Sequence, residues 1–297
     1  MTAAESLSRV ATWRDYFELT KPRVVALIVL TSIVGSLLAS PRLPDFATLV
    51  FANLGIALAA ASAAAINHAL DRGIDARMSR TRSRPLPTGR LSFNEALGFA
   101  LILAALSMLL LVGKVNLLTA SLTFASLIGY AVVYTLWLKR ATSQNIVIGG
   151  AAGAAPPLLG WAAVTGHIAV NALVLCLIIF IWTPPHFWAL AIARREEYAK
   201  VDIPMLPVTH GVPYTQKAVL YYTLALMLAS SLPYLIGMSG YFYMAVALVL
   251  DARFLWHAIQ LQRSPSDAIA MRMFHFSVSY LLWLFVALLV DHYLPTR

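Results

Sequence analysis

The residues with the most chemical content lie between Asn67 and Arg90, in the stretch NHALDRGIDARMSRTRSRPLPTGR. Asn67, Asp71 and Asp75 recur every four residues. On a helix, side chains four apart lie nearly above one another, so the three form one stripe. Two carboxylates and an amide oxygen on one stripe make an all-oxygen face suited to Mg²⁺ or another hard cation. Arg72, Arg77, Arg80, Arg82, Arg84 and Arg90 fall in the same stretch. Planar guanidinium matches phosphate oxygens. Metal-binding oxygens beside phosphate-binding cations point to a magnesium-chelated di- or triphosphate. The competing reading is a solvated loop whose arginines only fix membrane orientation.

A second stretch, RREEYAKVDIPMLPVTHG from Arg194 to Gly211, offers Glu196, Glu197 and Asp202 as oxygen ligands. It also offers Lys200 as a phosphate contact and Tyr198 as a hydroxyl donor. Mg²⁺ prefers one or two carboxylates plus substrate phosphates and water to an all-protein cage. Two acidic stretches approaching from opposite sides would therefore suit a diphosphate. Lys139-Arg140 and Lys21-Pro22-Arg23 are either further phosphate contacts or orientation signals. In Trp182-Thr183-Pro184-Pro185-His186-Phe187-Trp188 the prolines remove backbone donors. His186 is then either a functional group at membrane depth or a neutral ring donating to a freed carbonyl. His68, beside Asn67, is placed to ligate a metal or a haem iron, or to orient Asp71. The aromatics Trp137, Trp161, Trp182, Trp188, Tyr130 and Tyr134 are interfacial anchors or packing, and any subset facing a cavity would stabilise a carbocation by cation–π attraction.

The elements that must position these groups are membrane helices. Of 297 residues 60% are hydrophobic and only 12% charged, about half the charge of a soluble domain. Nine apolar runs are long enough to cross a bilayer: 23–39, 46–68, 95–112, 117–138, 145–164, 170–191, 218–236, 241–260 and 274–290. They lack the alternation of a barrel strand. The expectation is one all-α, polytopic domain over 1–297, with nine helices around a central cavity and a tail at 1–22. Nineteen of the 22 basic residues fall on one side of this arrangement, leaving Arg42, Lys114 and Arg297 on the other. That asymmetry predicts a cytoplasmic N-terminus and active-site loops on the cytoplasmic side. The single cysteine, Cys176, excludes an internal disulfide. Nearly every carboxylate lies at a helix end or in a connection, which favours an enzyme at the interface over a transporter with midplane charges. A structural haem protein would use the histidines but leave the Asn67-Asp71-Asp75 stripe without a role.

The stripe, the arginine-rich stretch, the second acidic stretch and nine spans together resemble the intramembrane prenyltransferase superfamily of the UbiA type. LTKPRVVALIVLTSIVG (19–35), IGGAAGAAPPLLGW (148–161), WTPPHFWALAI (182–192) and DIPMLPVTHG (202–211) resemble its haem-farnesylating branch. So does His68, which stands where the quinone-pathway relatives carry aspartate. The resemblance implies a prenyltransferase of the cytoplasmic (inner) membrane that uses farnesyl diphosphate and haem B as substrates and Mg²⁺ as cofactor. The Mg²⁺ would be held by Asn67, Asp71, Asp75, Glu197 and Asp202. Asp71, Asp75 and Lys200 would be catalytic, with Arg84, Lys139, Arg140, Tyr198, His68 and His186 binding substrate. A haem A synthase or terminal oxidase would receive the product, and no nucleic acid is implied. The alternative within the superfamily is a quinone- or chlorophyll-pathway prenyltransferase. One departure stands out: the second acidic motif is not a regular D-x-x-x-D, since Glu197 and Asp202 are five apart.

Overall fold

The computed structural model describes residues 11–264 and 266–294. Arg9 and Arg297, counted above, and the first ten residues of the expected tail lie outside them. Helix α1 (Trp13–Leu19) begins where the Asp15 carboxylate accepts from the Thr12 amide and hydroxyl. It meets α2 (Pro22–Leu38), which starts on a proline, at a 54° bend. Proline suits this first helical position because its missing N–H would have no partner there anyway. Helix α3 (Phe46–Arg77) is N-capped by Asp45, whose carboxylate accepts from Thr48 N at 2.8 Å. Helix α4 (Phe93–Lys114) starts on a Ser92/Glu95 capping box. Helix α5 (Leu117–Ile128) runs on through a π-helical segment, Gly129–Leu138, into α6 (Lys139–Ala141). Next come α7 (Asn145–Ala154), α8 (Pro156–Thr165) and α9 (Val170–Ala193). The connection after α9 carries α10 (Arg195–Ala199) and α11 (Leu206–Thr209). Helices α12 (Gly211–Leu235), α13 (Tyr241–Arg263) and α14 (Asp267–Tyr293) complete the chain.

Among the described residues, eight helices are by themselves long and apolar enough to span a membrane. The bent pair α1–α2 makes a ninth when taken as one span. Several boundaries differ from those read in the sequence: the spans expected at 218–236 and 274–290 begin earlier, at Gly211 and Asp267, and two further differences bear on the site. The span expected at 46–68 continues as helix to Arg77, because backbone hydrogen bonding does not stop where hydropathy falls. The stripe therefore sits on the last turns of α3 rather than on a loop. The span expected at 145–164 is broken at Ala155, ahead of Pro156 and Pro157, whose rings cannot continue the α7 ladder.

Small residues let the N-terminal helices approach closely. A Cβ added at Gly35 would strike the Pro157 carbonyl, and one at Gly160 the Ser32 carbonyl. Ser36 Oγ donates to Gly160 O at 3.1 Å across the same crossing, the small-residue packing expected where lipid gives helices no hydrophobic drive to associate. The main core lies in the C-terminal half, where Leu175, Ile178, Tyr243, Phe254, Leu284 and Phe285 are buried among α9, α12, α13 and α14. Within it is a carboxylate at mid-helix, Asp251 of α13. It accepts from Ser230 Oγ and Tyr280 Oη at 2.7 Å each, so both its oxygens are satisfied, as membrane depth requires. A smaller cluster joins the end of α3 to the connection after α9. Ile74 and Met78 at the end of α3 pack with Ile146, Ala191, Tyr198, Val201, Ile203 and Met205.

Candidate active site

The stripe forms as its spacing predicts. Asn67, Asp71 and Asp75 are all buried, at 5%, 4% and 5% exposure. Each engages a cation. Lys21 Nζ, at the bend between α1 and α2, donates to Asn67 Oδ1 at 2.6 Å. Lys139 Nζ donates to Asp71 Oδ2 at 2.6 Å, and Arg84 Nη1 to Asp75 Oδ2 at 2.8 Å. Buried ion pairs add little net stability, because desolvation offsets their attraction. Ion pairs stacked on one face are thus better explained as a site than as scaffolding.

The Asn67 amide is oriented from both ends. Its oxygen must face Lys21, which can only donate, so its nitrogen donates to Asp71 Oδ2 at 2.8 Å and to Thr135 Oγ1 at 3.2 Å. Thr135 Oγ1 donates in turn to Tyr130 O, five residues back, at 2.9 Å. Thr135 and Lys139 lie four apart, one within and one just past the π-helical segment, and both reach α3. π-helical turns concentrate at functional sites, and this one carries a positioning hydroxyl and an ammonium to the oxygen face. Tyr130 and Tyr134 stack one turn apart in the same segment, centroids 5.5 Å apart.

The remaining arginines divide by role. Arg90 pairs with Asp15 of α1 at 2.7 Å, and Arg72 covers the Phe93 ring at 4.8 Å. Arg77, Arg80 and Arg82 are exposed. In the second connection Tyr198 is buried. Burial pushes its phenol above the ordinary value, against the opposing Arg80 guanidinium, so it stays a neutral donor. Glu197 Oε1 accepts from Arg194 at 3.2 Å, while Glu197 Oε2 is buried with no hydrogen-bond partner. Lys200, Asp202 and Arg140 are exposed and form no ion pair among the described residues. Asp202 has a left-handed backbone, φ 54°. The structure therefore brings together Asn67, Asp71, Asp75, Arg84 and Lys139, and packs Tyr198 near the end of α3. It does not draw Asp202, Lys200 or Arg140 into that group.

Could these residues hold a divalent cation? Among the described residues no three His, Cys, Asp or Glu side chains gather closely enough to hold one alone. Asp71, Asp75 and the Asn67 amide oxygen offer oxygen ligands on one face of α3, and Glu197 Oε2 is a further buried oxygen without a partner in the second connection. That fits Mg²⁺ completed by substrate phosphates and water.

The UbiA prenyltransferase family matches residues 28–287, most of the chain. The chain belongs to this family. The prenyltransferase is 61% identical over 281 residues to the protoheme IX farnesyltransferase of Marinobacter nauticus, covering 95% of this chain and 93% of that one. It is 60% identical to the protein of the same name from Shewanella denitrificans, covering 98% and 97%. Its fold is similar to the solved structure of a digeranylgeranylglyceryl phosphate synthase, with TM-score 0.79, 21% identity, and 94% and 98% coverage. It is also similar to a UbiA homologue from Archaeoglobus fulgidus bound to DMAPP and Mg²⁺, with TM-score 0.68, 16% identity, and 92% and 99% coverage.

Sequence reasoning singled out the stripe, Arg84 and Lys139. It treated Lys21 as either a phosphate contact or an orientation signal, and passed over Thr135 and Ser277. Ser277 Oγ meets His186 Nδ1 at 2.6 Å. His186 thus does not donate to a proline-freed carbonyl, which was one of its two readings.

Proposed function

We propose that this prenyltransferase moves a farnesyl group from farnesyl diphosphate to a vinyl group of haem B, in a site at the cytoplasmic end of the bundle. The observation that carries this reading is identity of 61% over nearly the whole length of a relative named for that activity. The site chemistry agrees. Asn67, Asp71, Asp75 and Glu197 would hold Mg²⁺, which supplies a Lewis acid to the departing diphosphate. Arg84, Lys139 and Lys21 neutralise the same charge as the allylic C–O bond breaks and the electron pair stays on oxygen. Tyr198 donates a hydrogen bond to a phosphate oxygen. Lys200 and Arg140 would contact the diphosphate, and Asp202 would be a further metal ligand, each from a connection that the structure leaves outside the stripe. Packed apolar helices keep water from the allylic cation until it has reacted. The vinyl π-pair forms the new C–C bond, and water then captures the resulting cation and loses a proton. His68 and His186 would be the histidines that contact the haem. A haem A synthase or terminal oxidase is the class of consumer for such a product.

Mass spectrometry of the extracted pigment tests this. Membranes containing the protein, given haem B, farnesyl diphosphate and Mg²⁺, are expected to yield a haem heavier by one farnesyl group plus one hydroxyl. Unchanged haem B beside prenylated 4-hydroxybenzoate in a parallel incubation would reject the haem substrate in favour of a quinone-pathway role.

Sidedness follows from the basic residues around the site. Reporter fusions after Arg90 and after Gly211 are both expected to read cytoplasm, and a fusion at the C-terminus the opposite side. Two inner connections on different faces would end the single-site reading.

A further inference from the structure

We infer that the groove between α12 and α13, at the end of the bundle where α12 begins and α13 ends, binds the phosphodiester headgroup of an anionic membrane phospholipid. Neither helix carries a residue of the stripe or of the cations paired with it, so this site is separate from the one where prenyl transfer is proposed.

The groove encloses about 290 Å³. It is lined by Lys217, Leu220 and Tyr221 of α12 and by Ile259, Gln262 and Arg263 of α13. Lys217 and Tyr221 are four apart, and so are Ile259 and Arg263, so each helix contributes one stripe. Gln216 ties the two helices together beside the groove, its side-chain amide donating to Leu261 O at 2.8 Å.

The lining changes character along the helices. The apolar run of α12 starts at 218, and that of α13 ends at 260. Lys217 therefore stands just before one hydrocarbon span, and Gln262 and Arg263 stand just after the other. Leu220, Tyr221 and Ile259 lie inside the runs. The polar groups are thus at the level of lipid headgroups, and the apolar ones at the level of the glycerol and upper acyl chains. Tyr221 is 66% exposed at this depth, where tyrosines of membrane proteins concentrate. The orientation proposed above puts this end at the cytoplasmic leaflet, which carries anionic lipids.

The charges call for an anion. Lys217 and Arg263 form no ion pair among the described residues. Asp267, the carboxylate closest to Arg263 in the chain, is taken by Arg195 at 2.6 Å. Gln262 Nε2 is buried with no hydrogen-bond partner. An amide nitrogen only donates, so what it lacks is an acceptor oxygen, and a buried donor left without one is costly. A phosphodiester supplies acceptors to all three groups. Guanidinium offers it two parallel donors, and the ammonium a point charge. Membrane orientation accounts for Lys217 and Arg263 as charges. It requires neither a cavity between them nor a buried amide in want of an acceptor. Basic pockets between membrane helices are a recurring form of headgroup recognition.

The same groups separate lipid classes. A phosphatidylglycerol headgroup brings a phosphodiester and no cation. A phosphatidylcholine headgroup adds a quaternary ammonium, for which the groove has no free carboxylate. A soluble phosphate would satisfy the donors but leave the apolar half of the groove without an occupant.

Native mass spectrometry of the full-length protein in detergent, titrated with phosphatidylglycerol or phosphatidylcholine, tests the assignment. Phosphatidylglycerol is expected to bind one site about 30-fold more tightly, the scale of two basic residues near a membrane surface. The double variant Lys217→Gln, Arg263→Gln is expected to erase that preference. Gln262→Glu keeps both cations and the shape of the side chain but replaces a donor with an anion. It is expected to weaken phosphatidylglycerol binding at least about tenfold. Ile259→Trp fills the groove below the cations with surface charge unchanged, and the same loss is expected. Millimolar inorganic phosphate is expected not to displace the lipid. Equal binding of the two lipids overturns the assignment. A preference that survives in Gln262→Glu and Ile259→Trp also overturns it, since that is general attraction to a basic surface. Displacement by inorganic phosphate would make the groove a soluble-anion site and overturn the lipid as its occupant. Changes in different side chains keep the test decisive if one variant fails to insert.

Discussion

Asp71→Asn is expected to lower turnover by on the order of 10²- to 10³-fold, the scale lost when one element of transition-state charge stabilisation is removed. Asp75→Asn is expected to do the same. Asparagine has nearly the shape of aspartate, so the buried stripe keeps its packing and the protein remains inserted and monodisperse. What changes is charge. A neutral amide oxygen is a poor Mg²⁺ ligand, and it leaves Lys139 or Arg84 without the carboxylate it now pairs with at 2.6 or 2.8 Å. Farnesyl diphosphate binding is accordingly expected to depend less on Mg²⁺ in both variants. Diphosphate release measured across a Mg²⁺ titration, beside size-exclusion profiles, checks both effects. Near-normal rates in Mg²⁺ for both variants would remove the oxygen face from the mechanism.

That stripe was legible because a period of four in Asn67, Asp71 and Asp75 has one structural meaning on a helix. Where the helix ends was less legible. Hydropathy falls at His68, yet α3 continues to Arg77, since a helix crossing into water loses apolar side chains before it loses hydrogen bonds. The cations were visible as residues at helix ends near the stripe, but not their partners. Lys139 reaches Asp71 across 68 positions, and Lys21 reaches Asn67 across 46. Thr135 and Ser277 carried no signal. A lone threonine or serine in an apolar span is ordinary, and its role depends on a π-helical register and on a neighbour 91 positions away. Asp251 shows the converse. A mid-helix carboxylate looks like a functional site by default, yet Ser230 and Tyr280 satisfy it within the packed core.

Lys139→Met is expected to move two readouts in opposite directions. In the free protein the Lys139 ammonium sits 2.6 Å from Asp71 Oδ2, on an oxygen a divalent cation would use. Ammonium and metal therefore compete for Asp71. Removing the ammonium is expected to raise the affinity for Mn²⁺, a paramagnetic stand-in for Mg²⁺, by several-fold in the absence of diphosphate. The same change is expected to cut turnover on the order of 10²-fold, because Lys139 no longer neutralises the leaving diphosphate. Both effects follow from one exchange. Asp71 would hold a metal that accompanies the diphosphate, and Lys139 would then pair with a phosphate oxygen instead. The positive charge shifts its partner without leaving a buried charge uncompensated, a state that would cost several kcal/mol. Methionine matches the length and apolar stem of lysine, so the π-helical segment keeps its packing against α3. Mn²⁺ titration by electron paramagnetic resonance, paired with single-turnover kinetics, separates the two readouts. A parallel fall in metal affinity and turnover would assign Lys139 to holding the fold of the site, and unchanged values in both would remove it from the site.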